Sequence, residues 1–182
     1  MKEIIKLIKS DYYRYCGVVV PTYKLLIYLI LSHNHCFKYS FWLRLSHRKN
    51  MFFRLAKFMH SRLSRKYSLQ IPSTCKIGYG LYLGHGICMV INPGTIIGNN
   101  VNLSQFLNIG TNHNTPAVIG DNVYIGPHVS IVEDVKIGNN SCIGAGAVVV
   151  KDVPENATVA GVPAKVVSYK DHNYILNKWP VY

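Results

Sequence analysis

Residues 119–150 read "IGDNVYIGPHVSIVEDVKIGNNSCIGAGAVVV", and an aliphatic residue returns at every sixth position: Ile119, Ile125, Ile131, Ile137, Ile143 and Val149. A period of six matches neither the turn of an amphipathic helix nor the plain alternation of a hairpin meander. It suits short strands joined by tight corners, each strand pointing one aliphatic side chain inward. Three such strands close a triangular coil of about 18 residues. Stacked coils then place Ile119 beside Ile137, Ile125 beside Ile143 and Ile131 beside Val149, roughly 4.8 Å apart along a parallel ladder.

The spacing extends towards the N-terminus through Ile91, Ile97, Leu103 and Ile109, and before them Ile71, Ile77, Leu83 and Met89. Glycine follows the aliphatic residue directly at positions 78, 84, 98, 110, 120, 126, 138 and 144. Corners read "GNN" at 98, "GDN" at 120 and "GNN" at 138, and glycine and asparagine tolerate the left-handed backbone that a sharp corner needs. Each coil buries its aliphatic row against the next, so such an array has a core without a covering helix.

This pattern resembles the hexapeptide repeat of the left-handed parallel β-helix. The handedness comes with the resemblance, because general connection rules favour the right hand. The expected fold is mainly β: a left-handed parallel β-helix over residues 71–165, preceded by an α-helical segment over 1–70 and followed by a tail over 166–182.

Charge divides the chain at the same place. Residues 1–70 hold 14 Lys and Arg against two acids, Glu3 and Asp11, whereas 71–182 hold six of each, so the whole formal charge of +12 belongs to the first segment. Phe53, Leu55, Ala56, Phe58 and Met59, with Arg54, Lys57, Arg62 and Arg65 among and beyond them, have the spacing of a basic amphipathic helix. Helix breaks are expected near Pro21 and at "SHNH", residues 32–35. The run "LLIYLIL" at 25–31 is too short to span a bilayer, and it starts too late and lacks a cleavage site for a signal peptide.

A basic face bearing aromatics suits an anionic lipid surface first and an interface between subunits second. Nucleic acid fits poorly, since no recognised nucleic-acid module accompanies the charge. Cysteines 16, 36, 75, 88 and 142 are odd in number and form no CxxC pair, which points to reduced, packed thiols in the cytoplasm, with peripheral contact to the inner membrane face as the added expectation.

Chemistry is expected where the ladder is interrupted, because insertions in a solenoid become loops. A two-residue offset separates Met89 from Ile91 just after "LGH" at 83–85, and "GTNHNTPAV" intervenes between Ile109 and Ile119. The two carry His85 and His113. Residues 70–168, with that "LGH" offset and the ending "GAGAVVVKDVPENATVAGVPAKVV", resemble the serine acetyltransferase branch of the hexapeptide acyltransferases. The resemblance implies transfer of acetyl from acetyl-CoA to an acceptor hydroxyl, with no metal.

A hydroxyl needs a base to attack a thioester at neutral pH, and histidine suits that task. His85 is therefore the expected catalytic base, with backbone N–H groups of a neighbouring coil holding the oxyanion, and His113 a second candidate in a loop resembling the family's active-site loop. On an ungapped alignment the family's aspartate partner of the histidine falls at Gln70, and its substrate-holding aspartate at Gly84. Without a carboxylate to meet an ammonium, a neutral sugar is the expected acceptor, held by Gln70, Asn92, Gln105, Asn112 and Asn114. The expected function is O-acetylation of a bacterial surface polysaccharide: capsule, exopolysaccharide or O-antigen. The alternatives are serine O-acetylation in cysteine biosynthesis, and a non-catalytic or zinc-dependent member of the fold using His85, His113 and His128.

For acetyl-CoA the resemblance implies a groove between coils of adjacent subunits, with Gly126, Gly144, Ala145, Gly146 and Ala147 along the pantetheine arm, Gly161 also among the cofactor-binding residues, and Lys151 and Lys165 near the nucleotide phosphates. A shared groove implies a homotrimer, and the N-terminal helices are placed to pair trimers into hexamers.

Overall fold

A computed structural model of the chain describes residues 1–47, 49–112 and 115–181. Four helices come first: α1 Lys2–Cys16, α2 Thr22–Leu31, α3 His35–Ser46 and α4 Phe53–Tyr67. Two of the three breaks fall where the sequence places them, whereas the one between Ser46 and Phe53 was not expected. Pro21 caps α2, and the Asn34 side chain caps α3 by accepting from the Phe37 N–H at 3.0 Å. Their shared core is Ile4, Ile8, Leu25, Phe37, Phe41, Leu45 and Ala56.

Among the described residues fifteen short strands, β1 to β15, then wind a parallel solenoid with three faces. The first face stacks β1 (Leu69–Gln70), β4 (Met89–Ile91), β7 (Asn108–Ile109), β10 (Ser130–Ile131) and β13 (Val148–Val149). The second stacks β2 (Lys76–Ile77), β5 (Ile96–Ile97), β8 (Val118–Ile119) and β11 (Lys136–Ile137). The third stacks β3 (Tyr82–Gly84), β6 (Asn102–Ser104), β9 (Tyr124–Ile125), β12 (Cys142–Ile143) and β14 (Thr158–Ala160), and β15 (Lys165–Ser168) closes it antiparallel. Ile119 pairs with Ile137, Ile125 with Ile143 and Ile131 with Val149, the registers that the six-residue spacing predicts. Every one of these six side chains is buried. Burying each contributes about 1.5–3 kcal/mol relative to exposure.

The first coil is the open end of the ladder, and the helices cover it. Arg44 reaches from α3 to Asp11 on α1 with two bonds of 2.9 Å, and its guanidinium also donates to the Ile77 and Gly78 carbonyls at 2.7 Å each. Asp11 in turn accepts from the Leu81 N–H at 2.9 Å. The two side chains are 5% and 0% exposed, so one ion pair fixes α1, α3 and the first coil together.

The last residues are more than a loose tail. After β15 the chain returns along the third face towards α1. Asn102 donates to the Tyr174 carbonyl at 3.1 Å, Asn100 exchanges two bonds with the Trp179 backbone, and the Trp179 ring meets Tyr13 edge-on at 5.6 Å. Arg14, buried in α1, donates to the carbonyls of Leu176 and Gly80 and to the Asn102 side chain. Burial lowers its pKa to about 10. All five cysteines are free, and Cys36, Cys75 and Cys142 are buried.

Removing one partner of a desolvated ion pair strands the other charge. Asp11→Ala is expected to lower unfolding stability by about 3–5 kcal/mol in chemical denaturation. A loss under about 1 kcal/mol, the range of exposed pairs, would mean that the pair does not anchor the helices.

Candidate active site

At the corner between the third and first faces the coils stack residue on residue. The N–H of Phe106 donates to the Ile87 carbonyl at 3.2 Å, that of His128 to Gln105 at 3.0 Å and that of Gly146 to Pro127 at 2.9 Å. Cys88, Phe106, His128 and Gly146 form one column of left-handed residues, with φ of 50°, 61°, 58° and 70°. In the second coil Ser104 passes directly to Gln105. In the first, Gly84 pairs with Ser104, but Ile87 is the residue level with Gln105. His85 and Gly86 therefore have no counterpart above them. The two-residue offset is this pair, extruded from the ladder.

His85 takes φ of 51°, uncommon for a residue with a side chain, and is exposed at the corner. No hydrogen bond ties its ring to another described residue of this chain. Its backbone, by contrast, is held from both ends of the bulge. The Gly86 N–H donates to Cys36 Sγ at 3.1 Å, and His35 Nε2 lies 3.1 Å from the Gly86 carbonyl, which makes that nitrogen the protonated one. The His35 ring stacks on Tyr67 at 4.4 Å, and the Tyr67 carbonyl accepts from the Cys88 N–H at 3.0 Å. Burial pushes the Cys36 thiol pKa up, so Cys36 stays a neutral acceptor. An added Cβ on Gly86 would sit 3.0 Å from that sulfur.

The residues expected to hold acetyl-CoA climb the same corner. Ala145 and Gly146 are exposed there, about 14 Å or three ladder spacings above His85. A Cβ on Gly146 would meet nothing within 4 Å, so its surface is open. Gly126 has a different reason to be glycine: a Cβ there would lie 2.8 Å from the Ala145 nitrogen, so close stacking of coils demands it. Gly144 is similarly tight against Ala160, at 3.1 Å. Gly161, with φ of 95°, accepts from the Val148 N–H at 3.0 Å and brings its turn over the top of the first face. Lys165 is exposed at the start of β15, whereas Lys151 is exposed beyond β13 at the far edge of the first face.

The expected acceptor residues do not gather in one place. Gln105 shares the His85 corner. Gln70 is exposed on the first face, level with Val90. Asn92 lies at the opposite corner, where its side chain accepts from the Gly94 N–H at 2.9 Å. Asn112 is in the excursion after Ile109, where its N–H and the Thr111 hydroxyl both donate to Glu133, at 2.7 and 2.9 Å. That brace was not read from the sequence, because Glu133 belongs to the next coil. His113 and Asn114 lie outside the described residues. His128 stands two coils above His85, about 10 Å up the ladder, and stacks on Phe106 at 4.4 Å, and among the described residues no three His, Cys, Asp or Glu side chains gather to hold a metal ion.

Cavities of about 370, 450 and 370 Å³ lie between the first coil and α1/α3, on the upper second face, and among the helices, and none includes His85 or Gly146. His85, Ala145 and Gly146 stand on an exposed edge of the chain.

Residues 116–151 match the family described as bacterial transferase hexapeptide (six repeats). A solved Neisseria gonorrhoeae serine acetyltransferase in complex with serine is 31% identical, covers 92% of this chain and 70% of its own, and superposes with a TM-score of 0.76. The chain belongs to the hexapeptide-repeat transferase family. Within it the similarity is to serine acetyltransferases. That of Buchnera aphidicola subsp. Schizaphis graminum is 34% identical over 120 residues, which are 63% of this chain and 46% of the relative. A solved Brucella abortus serine acetyltransferase in complex with coenzyme A is 26% identical with a TM-score of 0.71 and covers 92% of this chain and 67% of its own. The chain thus spans less than half the length of the curated relative.

These relatives overturn the sugar acceptor expected from the sequence, because they are serine acetyltransferases and one of them holds serine. Gln70 and Gly84, which stand where the family has its two aspartates, are what pointed to a neutral acceptor.

The clamp on the bulge is testable by hydrogen exchange. Cys36→Ala is expected to speed exchange of the Gly86 amide about tenfold, roughly the worth of one hydrogen bond, and to leave the His128 and Gly146 amides unchanged. Equal acceleration along the whole corner would place the effect in the ladder instead.

Proposed function

We propose that the protein is an acetyl-CoA-dependent serine O-acetyltransferase in which His85 is the general base. The observation that carries this reading is the extrusion of His85 at the foot of the corner whose upper coils present Ala145 and Gly146. A base and an open small-residue groove then share one edge of the solenoid. The similarity to serine acetyltransferases supports serine as the acceptor and acetyl-CoA as the donor.

In the reaction an unprotonated ring nitrogen of His85 takes the proton of the serine hydroxyl as the oxygen attacks the thioester carbonyl carbon. The carbon–sulfur bond then breaks, the departing thiolate takes the proton from the imidazolium, and O-acetylserine and CoA leave with His85 regenerated. The left-handed backbone at His85 aims the ring away from the ladder, and the His35–Cys36 clamp fixes the bulge so that the base does not wander. Positioning of this kind matters because a misplacement of about 1 Å costs on the order of 100-fold in rate.

Gln70 stands where the family has the aspartate partner, so the histidine has an amide and not a carboxylate at that place. No described residue of this chain brings a carboxylate to the His85 corner, and the serine ammonium requires one. The reading therefore includes a neighbouring copy closing the corner, as a homotrimer does, with Gly161 and Lys165 at the CoA end.

Purified protein is expected to release CoA thiol from acetyl-CoA only when L-serine is present, and His85→Ala is expected to slow that release by about 10²–10⁴-fold. Absence of serine-dependent release, or a His85→Ala rate equal to wild type, would overturn the reading.

A further inference from the structure

α2 does not behave as a helix covered by its own protein. Its ten residues, TYKLLIYLIL, are mostly apolar, yet only Leu25 is buried. Ile30 and Leu31 are 74% and 72% exposed, and Tyr23, Leu26 and Ile27 are exposed beside them. Met51, 83% exposed, with Phe52, Leu55 and Phe58, forms a second apolar edge at the start of α4. A wholly apolar groove of about 370 Å³ joins the two edges, floored by Ile8, Leu25, Leu29, Phe41 and Trp42. Scattered exposed aliphatics need no explanation, but a continuous patch of this kind marks an interaction surface.

The charge around the patch selects its partner. Lys24 on α2, Arg54 and Lys57 on α4, Lys49 between α3 and α4, and Lys2 on α1 are all exposed. Of the two acids in this segment, Asp11 is consumed by Arg44, and Glu3, which accepts from the Tyr79 hydroxyl, is the one exposed carboxylate. A second copy seated on this face would bring lysine and arginine against lysine and arginine, with almost no acid to offset them. A nucleic acid would satisfy the charge and leave the aliphatic residues in water. An anionic bilayer surface satisfies both, because phosphates meet the cations while the aliphatic and aromatic side chains enter the headgroup and acyl boundary.

We infer that α2 and the start of α4 form a docking surface for an anionic lipid bilayer. α2 lies in the plane of the interface, with Leu26, Ile27, Ile30 and Leu31 facing the lipid. Contact is peripheral: among the described residues no helix is long and apolar enough to cross a membrane. The inference does not depend on the acceptor or on the chemistry at His85.

The test is co-flotation of the full chain with phosphatidylglycerol-containing vesicles and with pure phosphatidylcholine vesicles, at low and high salt. Light scattering gives the particle mass of each variant, and thermal melting its fold. Binding to the anionic vesicles alone, weakened at high salt, is expected. Ile30→Glu/Leu31→Glu is expected to weaken it at least tenfold with no change in particle mass. Arg54→Gln/Lys57→Gln, confined to exposed cations, is expected to weaken it several-fold and serves as the test if the first variant does not fold. Three results would each overturn the inference: no binding by wild type, unchanged binding by a folded variant, or a drop in particle mass on Ile30→Glu/Leu31→Glu, which would show that another copy covers the face.

Discussion

A parallel ladder admits no extra residue within a strand, since every coil must present its hydrogen-bonding groups level with the coil above. The six-residue spacing keeps the inward aliphatic column in register from Ile71 to Val149, with side chains such as Ile97, Leu103, Ile119 and Ile125 almost wholly withdrawn from water. Surplus residues have to leave the ladder at a corner. His85 and Gly86 are such a surplus, as is the excursion that follows Ile109. The constraint that makes the solenoid regular is also what places His85 outside it.

An extruded pair with no further support would be loose, and the helices supply that support. α3 begins at His35 because Asn34 caps it, and the first two side chains of that helix hold the two backbone groups of Gly86. The same helix carries Arg44, whose pairing with Asp11 seats α1 and α3 on the first coil. Arg14 then links α1 to Asn102 and to the returning C-terminal segment, so the ends of the chain meet beside the coil that bears His85. Stability of the helical segment and placement of the bulge that carries His85 are thus one problem solved by one set of contacts. The outer side of that segment faces away from them, which leaves α2 free for a different partner.

The solenoid was legible in the sequence because its signal is local and periodic: one inward aliphatic every six residues fixes both the strand positions and the pairing of Ile131 with Val149. Two helix breaks were legible for the same local reason, at Pro21 and at residues 32–35, and the break between Ser46 and Phe53 was not. His85 was legible as the residue beside a broken period. What escaped were contacts between segments distant in sequence, such as Cys36 with Gly86, Glu133 with the excursion of the coil below, and Trp179 with Asn100, none of which leaves a period behind. The acceptor was misjudged on the same footing. Gln70 and Gly84 truly offer no carboxylate, but the similarity to serine acetyltransferases overturns the neutral acceptor inferred from that.

The most direct test is a crystal structure of the protein with coenzyme A bound. The account predicts the thiol within hydrogen-bond reach of the His85 ring, the pantetheine arm passing along Ala145 and Gly146, and a second copy closing the corner. Coenzyme A bound on the second face or among the helices, with the His85 corner left open to solvent, would contradict it.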